Sequence, residues 1–378
     1  MTAVARLLDN CALAPDEVAQ RSGLDPARVH EILSGARLTM QELRALSSGL
    51  KIPLYSFSRG VLATSRSEKI KALYRSGRQH DDFSPPVERI AEYVTSALRM
   101  LPEANHSKAW FCDFHANEMT YAEAHRLATQ FRKAFYPDHP DAPVLDLPAL
   151  LTRHGLAHLS LLSRSRIEGA SVTMAGYAFI FLSPRFPGRM LFTLAHELGH
   201  VVAEHGEEGT AVFERSSQIG GLGRKRKNEL FVDAFASALL MPDRGVGRFL
   251  HTIRRTLDIS SASVGDIELL LLARYYGVSF DVAARRCEDL QLLPKGAAWA
   301  MSRQLRKEFG SAEKRAESAG LPARQEVRFP RISPQLLDAV VRSINEGEVS
   351  AGWAADRFGF SIGDLHDWHA NLSSAIRD

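Results

Sequence analysis

Apolar residues dominate one helical segment of the chain and surround its few polar side chains. In the range 190–202 the apolar positions include Leu191, Phe192, Leu194, Ala195, Leu198, Val201 and Val202. The same segment carries His196, Glu197 and His200. Because burying a carboxylate and two imidazoles without a partner costs free energy, the pattern predicts a helix whose polar residues bind a ligand.

The polar residues of this segment read HExxH, with His196 and His200 four positions apart. Residues at that spacing share one face of a helix. Two imidazoles on one face can hold a single Zn²⁺, and Glu197 can reach a water molecule on that metal from the side. The alternative is a helix whose histidines and glutamate are simply solvated, because so short a pattern also occurs by chance.

A second polar pair follows in a predicted helix that starts near Asn228 and is ended by Pro242. In it, Glu229 and Asp233 lie one turn apart on one face. A catalytic zinc takes three protein ligands and keeps one position for water. The Asn-Glu-x-x-x-Asp sequence resembles that of the thermolysin-like zinc peptidases, which implies that Glu229 is the third ligand and that Asp233 accepts a hydrogen bond from His196.

Other roles remain open around this predicted metal site. Glu229 could instead cap its helix or be solvated. Glu204, four positions beyond His200, competes as a ligand but is expected to point past the metal. The less favoured acids lie in the following loop and are Glu207, Glu208 and Glu214. His205 is a candidate donor to the oxyanion, although a solvated histidine at a helix end is the plainer interpretation.

Residues 1–60 predict a small helical bundle of their own. A short helix closes at Gly23, a second begins with Asp25 as its N-cap and Pro26 in its first turn, and a third covers 40–49. Two short helices joined by a glycine-containing turn make a helix-turn-helix, and the whole is similar to the XRE-type, phage-repressor-like domains. The predicted core positions are Leu7, Leu8, Val18, Leu24, Val29, Ile32, Leu33, Leu43 and Leu46.

DNA binding by this bundle is a separate question from its fold. In the resembling repressors polar residues open both helices, whereas Pro15 and Pro26 stand there in this chain. The candidate groove or backbone contacts are Arg28, His30, Glu31 and Arg37. Nearby acids make the surface poorly charged for a phosphate backbone. A dimerisation or partner-docking module is therefore the alternative.

The rest of the chain is predicted to be mainly helical. The segments 87–101 and 120–136 have amphipathic helical patterns. The basic run Arg59–Arg78 is interpreted as a solvated linker face, with a DNA contact as the alternative. Lys295–Arg331 is charged and predicted to be an exposed connector. Ile332–Trp368 has a weak helix-turn-helix spacing that favours a further nucleic-acid or partner module.

Length and composition indicate a folded protein of more than one domain. A chain of 378 residues exceeds one typical core and predicts about two or three domains. The apolar fraction of 45% excludes wholesale disorder, and the net charge of +3 is too small to argue by itself for nucleic-acid binding. Three widely spaced cysteines favour reduced thiols in a cytosol. The absence of a long apolar run disfavours export and membrane insertion.

The central motifs together resemble the ImmA/IrrE family of zinc metallo-endopeptidases over roughly residues 140–290. The segments that carry the resemblance are Arg189–His200, Glu229–Asp233, Phe235–Ala236, Leu239–Pro242 and, in a small sheet upstream, Ile167–Ser171 and Ala178–Leu182. The family usually has a small alanine, often preceded by an acidic residue, where this chain has Val232 and Phe231. That departure removes one possible carboxylate and leaves Glu229 as the choice.

The sequence thus predicts an α+β protein: a helix-turn-helix bundle, a helical linker, a zincin-like peptidase core with a small sheet, and a helical C-terminal region. Their predicted ranges are 1–60, 61–139, 140–290 and 291–378. The resemblance implies a cytoplasmic, Zn²⁺-dependent regulatory endopeptidase that cleaves a repressor or antitoxin, using Glu197 as the base. The alternatives are a DNA-binding regulator whose peptidase fold is a sensor, and an antitoxin-like interaction protein; a homodimer is also possible.

Overall fold

The computed structural model describes residues 14–36, 38–50, 84–104, 109–162, 167–204, 209–215, 227–261, 263–361 and 363–365. Its helices are α1 (Pro15–Ser22), α2 (Pro26–Leu33), α3 (Met40–Leu50), α4 (Ser84–Met100), α5 (Tyr121–Phe135), α6 (Leu147–Arg153), α7 (Pro187–Ala203), α8 (Lys227–Leu240), α9 (Asp243–Thr256), α10 (Asp266–Tyr275), α11 (Phe280–Asp289), α12 (Ala297–Phe309), α13 (Ala312–Ser318), α14 (Pro334–Asn345) and α15 (Ala351–Phe358). Its strands are β1 (His158–Leu161), β2 (Ile167–Met174), β3 (Tyr177–Leu182) and β4 (Thr210–Arg215). This mixture of many helices and one small sheet confirms the α+β class.

The four strands form one sheet in the order β1-β3-β2-β4. β1 runs parallel to β3, whereas β2 runs antiparallel to both of its neighbours, with Ser171 opposite Ile180 on one side and Val212 on the other. Every residue of β2 is buried. An antiparallel strand with one face in water would alternate between buried and exposed residues, so β2 is covered on both faces.

Helix α7 packs against β2 and β3 and also against α8. A Cβ atom built on Gly199 would lie 3.1 Å from both the Phe235 ring and the Val232 Cβ. A glycine at this position therefore lets the two helices approach closely. The start of α7 is held to the sheet by Arg189, whose guanidinium binds the buried Glu168 carboxylate of β2 with two hydrogen bonds.

Helix α5 belongs to the same hydrophobic core as α7 and α8, although it lies in the segment predicted as a linker. It packs directly on α8. Its buried Arg132 donates hydrogen bonds to the backbone carbonyls of Pro140, Leu239 and Ala142. Since a buried cation needs its donors satisfied, these three bonds fix α5 to the end of α8 and to the segment that follows α5.

The N-terminal helices follow the predicted pattern closely. Gly23 ends α1 with a left-handed φ of 69°, and the Asp25 side chain accepts the Ala27 amide at 2.8 Å to begin α2. The helices share a small core of Val18, Ala19, Val29, Ile32 and Leu46, against which Leu24, Leu33 and Leu43 pack. The predicted core residues Leu7 and Leu8 lie outside the described residues.

The prediction that Lys295–Arg331 is an exposed connector is wrong. This segment forms α12 and α13. Ala298 and Leu305 of α12, Ala316 of α13 and Val327, which follows α13, are buried in the main core. The high charge content of the segment drew attention away from these apolar residues. The basic run Arg59–Arg78 lies outside the described residues.

The chain divides into two compact units. One contains Met1–Ser76, Val87–Met100 and Ala339–Asp378, and the other contains Gly77–Pro86 and Leu101–Asp338. The sheet, α7 and α8 all lie in the second unit. Among the described residues no helix combines the length and the apolar character needed to cross a bilayer.

Candidate metal centre

Three predicted ligands come together where α7 crosses α8. His196 and His200 lie on α7 with their ring centroids 5.0 Å apart, and Glu229 lies in the first turn of α8. One potential ligand atom from each residue lies within 4.8 Å of those of the other two. Both histidines are buried, and the Glu229 side chain is 12% exposed. The structure thus brings together two helix segments that are separated in the chain by a stretch containing β4.

His196 has its two ring nitrogens in different surroundings. Nδ1 lies 2.9 Å from Asp233 Oδ1, as expected for the predicted acceptor, and Nε2 lies 3.6 Å from Glu229 Oε2. Burial lowers the pKa of His196, although the hydrogen bond and charge of Asp233 act in the opposite direction. Since an imidazole must be neutral to bind a metal, both the low pKa and the engaged Nδ1 present Nε2 as a ligand atom.

The ligand atoms have no hydrogen-bond partner among the described residues. These buried atoms are His196 Nε2, both ring nitrogens of His200 and Oε2 of Glu229. Buried polar atoms nearly always have a partner, because leaving one unsatisfied costs about 1–3 kcal/mol. Two imidazoles and one carboxylate are a donor set that suits a divalent ion such as Zn²⁺ and leaves a coordination position for water. The residues present therefore fit a metal ion.

Glu197 of α7 is fully buried, and its side chain faces β2. A Cβ atom built on Gly169 of β2 would stand 2.3 Å from Glu197 Oε1 and 2.8 Å from the Thr193 methyl group. Any side chain at position 169 would therefore displace the carboxylate. Sequence reasoning missed this role of Gly169, although a glycine inside a predicted strand is a signal of close approach by another group.

Glu204 stands beside the cluster but is not part of it. It was predicted to point past the metal, and the cluster of possible ligands does not include it. Its Oε1 lies 3.6 Å from His200 Nδ1. Burial by itself would raise the pKa of Glu204, but the nearby ring of His200 and a hydrogen bond from Asn228 leave it below its ordinary value. The Glu204 side chain is therefore directed to the ring of His200.

Four further candidates were predicted for this site. Glu207, Glu208 and His205 lie outside the described residues, as does the side chain of Glu214. Their proposed roles as ligands or as the oxyanion donor stay predictions.

The predicted DNA contacts are mostly engaged within their own bundle. Arg28 donates to Glu42 and to Glu31, each at 2.6 Å, and these bonds raise the pKa of Arg28. His30 Nδ1 lies 3.0 Å from the carbonyl oxygen of Pro26. Arg37 lies outside the described residues. A phosphate contact by Arg28 would have to replace two ion pairs.

Comparison with known proteins gives one finding for the region of the metal centre. Residues 157–288 match the Peptidase_M78 family model, described as an IrrE N-terminal-like domain. No curated protein matches the chain. The matched range contains the whole sheet, α7, α8 and all three residues of the metal cluster. Over this range the chain is similar to the ImmA/IrrE family of metallopeptidases.

Proposed function

We propose that this protein is a zinc-dependent endopeptidase that cleaves one particular protein, such as a transcriptional repressor or an antitoxin. Glu197, which follows His196 in the chain, is a buried carboxylate. The observation that carries the proposal is the convergence of buried ligand atoms from His196, His200 and Glu229 that have no hydrogen-bond partner among the described residues. A structural scaffold would satisfy these atoms with hydrogen bonds. The resemblance to the ImmA/IrrE family supports a repressor or antitoxin as the substrate.

Each residue of the centre has a specific part in the proposed reaction. His196, His200 and Glu229 would hold the ion, and Asp233 orients the His196 ring through Nδ1. Bound Zn²⁺ supplies Lewis acidity towards a water molecule and the scissile carbonyl. Glu197 takes the proton of the attacking water and transfers it to the leaving nitrogen.

The N-terminal helices are proposed as an XRE-like module that delivers the peptidase to its target. Capped helices of the predicted lengths support this fold. Double-stranded DNA remains the predicted alternative partner, but the internal ion pairs of Arg28 do not favour it. The cytoplasmic location and a homodimer stay predictions.

The test compares the full chain with Glu197→Gln. We expect both proteins to bind about one zinc per chain, because Glu197 is not a ligand. Cleavage of repressors or antitoxins encoded beside the gene should fall by about 10²–10⁴-fold in the variant, since general base catalysis is lost. Glu308→Gln, at an exposed helix position, is the matched control.

Two results would contradict the proposal. If Glu197→Gln cleaves as fast as the parent chain, the assignment of the base is wrong. If the parent chain binds no zinc under conditions that load other zinc peptidases, the metal centre itself is wrong.

A further inference from the structure

Both histidines of the metal centre present Nδ1 to a carboxylate. For His196 the carboxylate is Asp233, at 2.9 Å, and this contact is a hydrogen bond. For His200 it is Glu204, at 3.6 Å. The second distance is longer than a hydrogen bond, but the arrangement repeats the first: Nδ1 faces an acid and Nε2 remains for a metal.

The backbone at the end of α7 explains how Glu204 reaches this position. Glu204 is the C-cap residue, and its amide still donates to the His200 carbonyl at 2.8 Å. Its own φ of −126° and ψ of 44° leave the helical region. In a helix that continued beyond this residue the side chain would point past the metal. The change of backbone direction is accompanied by a side chain that lies against the ring four residues earlier.

The carboxylate of Glu204 can still accept a hydrogen bond from His200 Nδ1. Its Oε1 is buried and makes no hydrogen bond with any residue that the structure describes, and the same holds for His200 Nδ1. Two buried polar atoms that face each other at 3.6 Å need only a small movement to satisfy both. Hydrogen bonds at catalytic sites are often long without their ligands and shorten when the ligands bind.

We propose that Glu204 is a positioning residue of the metal centre, whose carboxylate accepts the Nδ1–H hydrogen bond of His200 when a metal ion is bound. The inference rests on the proposed metal site and extends it. Metal-binding histidines almost always donate their second ring nitrogen to an acceptor, which fixes the tautomer and makes the ring a better ligand. Glu204 would do for His200 what Asp233 does for His196.

The experiment measures zinc affinity of the full chain by competition with a chelator. Glu204→Ala should weaken binding by about 10–100-fold, the usual effect of removing such a partner. Glu204→Gln should lose less, because the amide oxygen still accepts a hydrogen bond. Asp233→Asn serves as the benchmark for the other histidine, and Glu308→Gln, near the end of α12, is the matched control and should bind zinc like the parent chain.

Two further readouts separate positioning from general stability. The metal-free proteins should unfold at the same temperature in the parent chain and in both Glu204 variants. With Co²⁺ in place of zinc, the absorption bands should change in Glu204→Ala and stay unchanged in Glu308→Gln, because only the former alters the orientation of a ligand ring.

The inference is overturned if Glu204→Ala binds zinc as tightly as the parent chain, or if its metal-free form is destabilised enough to account for the weaker binding. A loss of zinc as complete as that of Glu229→Ala would make Glu204 a ligand, which also overturns it. Failure of the proposed function would look different: the parent chain itself would bind no zinc.

Discussion

The metal centre and the N-terminal bundle differ in whether their charged and polar side chains are paired with other side chains. At the crossing of α7 and α8, buried nitrogen and oxygen atoms of His196, His200 and Glu229 converge without a hydrogen-bond partner in the part of the chain that the structure describes. In the bundle, the guanidinium of Arg28 is bound by Glu31 and Glu42 of the same bundle. Unsatisfied buried atoms are costly, so they indicate a ligand, whereas internally paired surface charges do not.

The two regions also differ in how their cores are built. Among the described residues the bundle has a small core of five buried side chains, and Gly23 and Asp25 cap its first two helices. The metal centre lies in the main core, where glycines at positions 169 and 199 permit a carboxylate and a neighbouring helix to come within contact distance. Its geometry therefore depends on close packing between distant segments.

The largest expected effect follows from removing the third ligand. Glu229→Ala should weaken zinc binding by about 100- to 1,000-fold. This corresponds to a loss of roughly a quarter of the binding free energy of a zinc site with four protein ligands, which is ~10–16 kcal/mol. Chelator competition measures it, with Glu308→Gln as the control. Unchanged affinity would mean that the third ligand lies elsewhere, for example at Glu207 or Glu208.

A smaller effect is expected from filling the space beside Glu197. Gly169→Ala should reduce cleavage while zinc remains bound, and should cost about 1–3 kcal/mol in the free energy of unfolding, because the new methyl group displaces a packed carboxylate. Gly247→Ala is the matched control: position 247 in α9 is exposed and has open space around it. There alanine should stabilise the chain by up to about 1 kcal/mol.

Denaturant unfolding, a zinc assay and the cleavage assay on the same samples test this pair. If Gly169→Ala retains full activity, the Glu197 carboxylate is not confined by β2 in the way that the packing indicates.

The smallest expected effect lies in the bundle and depends on pH. The hydrogen bond from Arg28, with others from Thr39, lowers the pKa of Glu42 from 4.5 to about 2. A lowered pKa in the folded state stabilises the fold above pH 4.5, and this contribution is lost as the pH falls towards 2. The contribution is small because both side chains are accessible to water.

Carboxyl-carbon NMR of the full chain measures the titration of Glu42 directly. Arg28→Ala should raise its midpoint towards 4.5, and Arg21→Ala, which removes the separate pair with Glu17, should leave it unchanged. If Glu42 titrates near 4.5 in the parent chain, Arg28 is free of Glu42 in solution and its predicted role in DNA contact regains support.

Local chemistry made the N-terminal helices predictable. Asp25 as an N-cap, Pro26 in a first turn and Gly23 in a left-handed C-cap act within a few residues of chain, so no distant contact is needed to interpret them. The connector predicted at 295–331 was wrong for the complementary reason. Whether Leu305 is buried depends on what packs against α12, and the charged residues around it gave no indication of this.

For the metal centre, the sequence by itself determined which side chains can bind a metal, because the spacing of His196 and His200 on one helix needs no tertiary information. Tertiary structure alone decided that Glu229 meets them, that Gly169 encloses Glu197 and that Glu204 turns back to His200. These contacts join segments that are far apart in the chain or follow a backbone bend at a helix end. They depend on how α7, α8 and β2 pack, and helical or strand periodicity within a single segment contains no information about that packing.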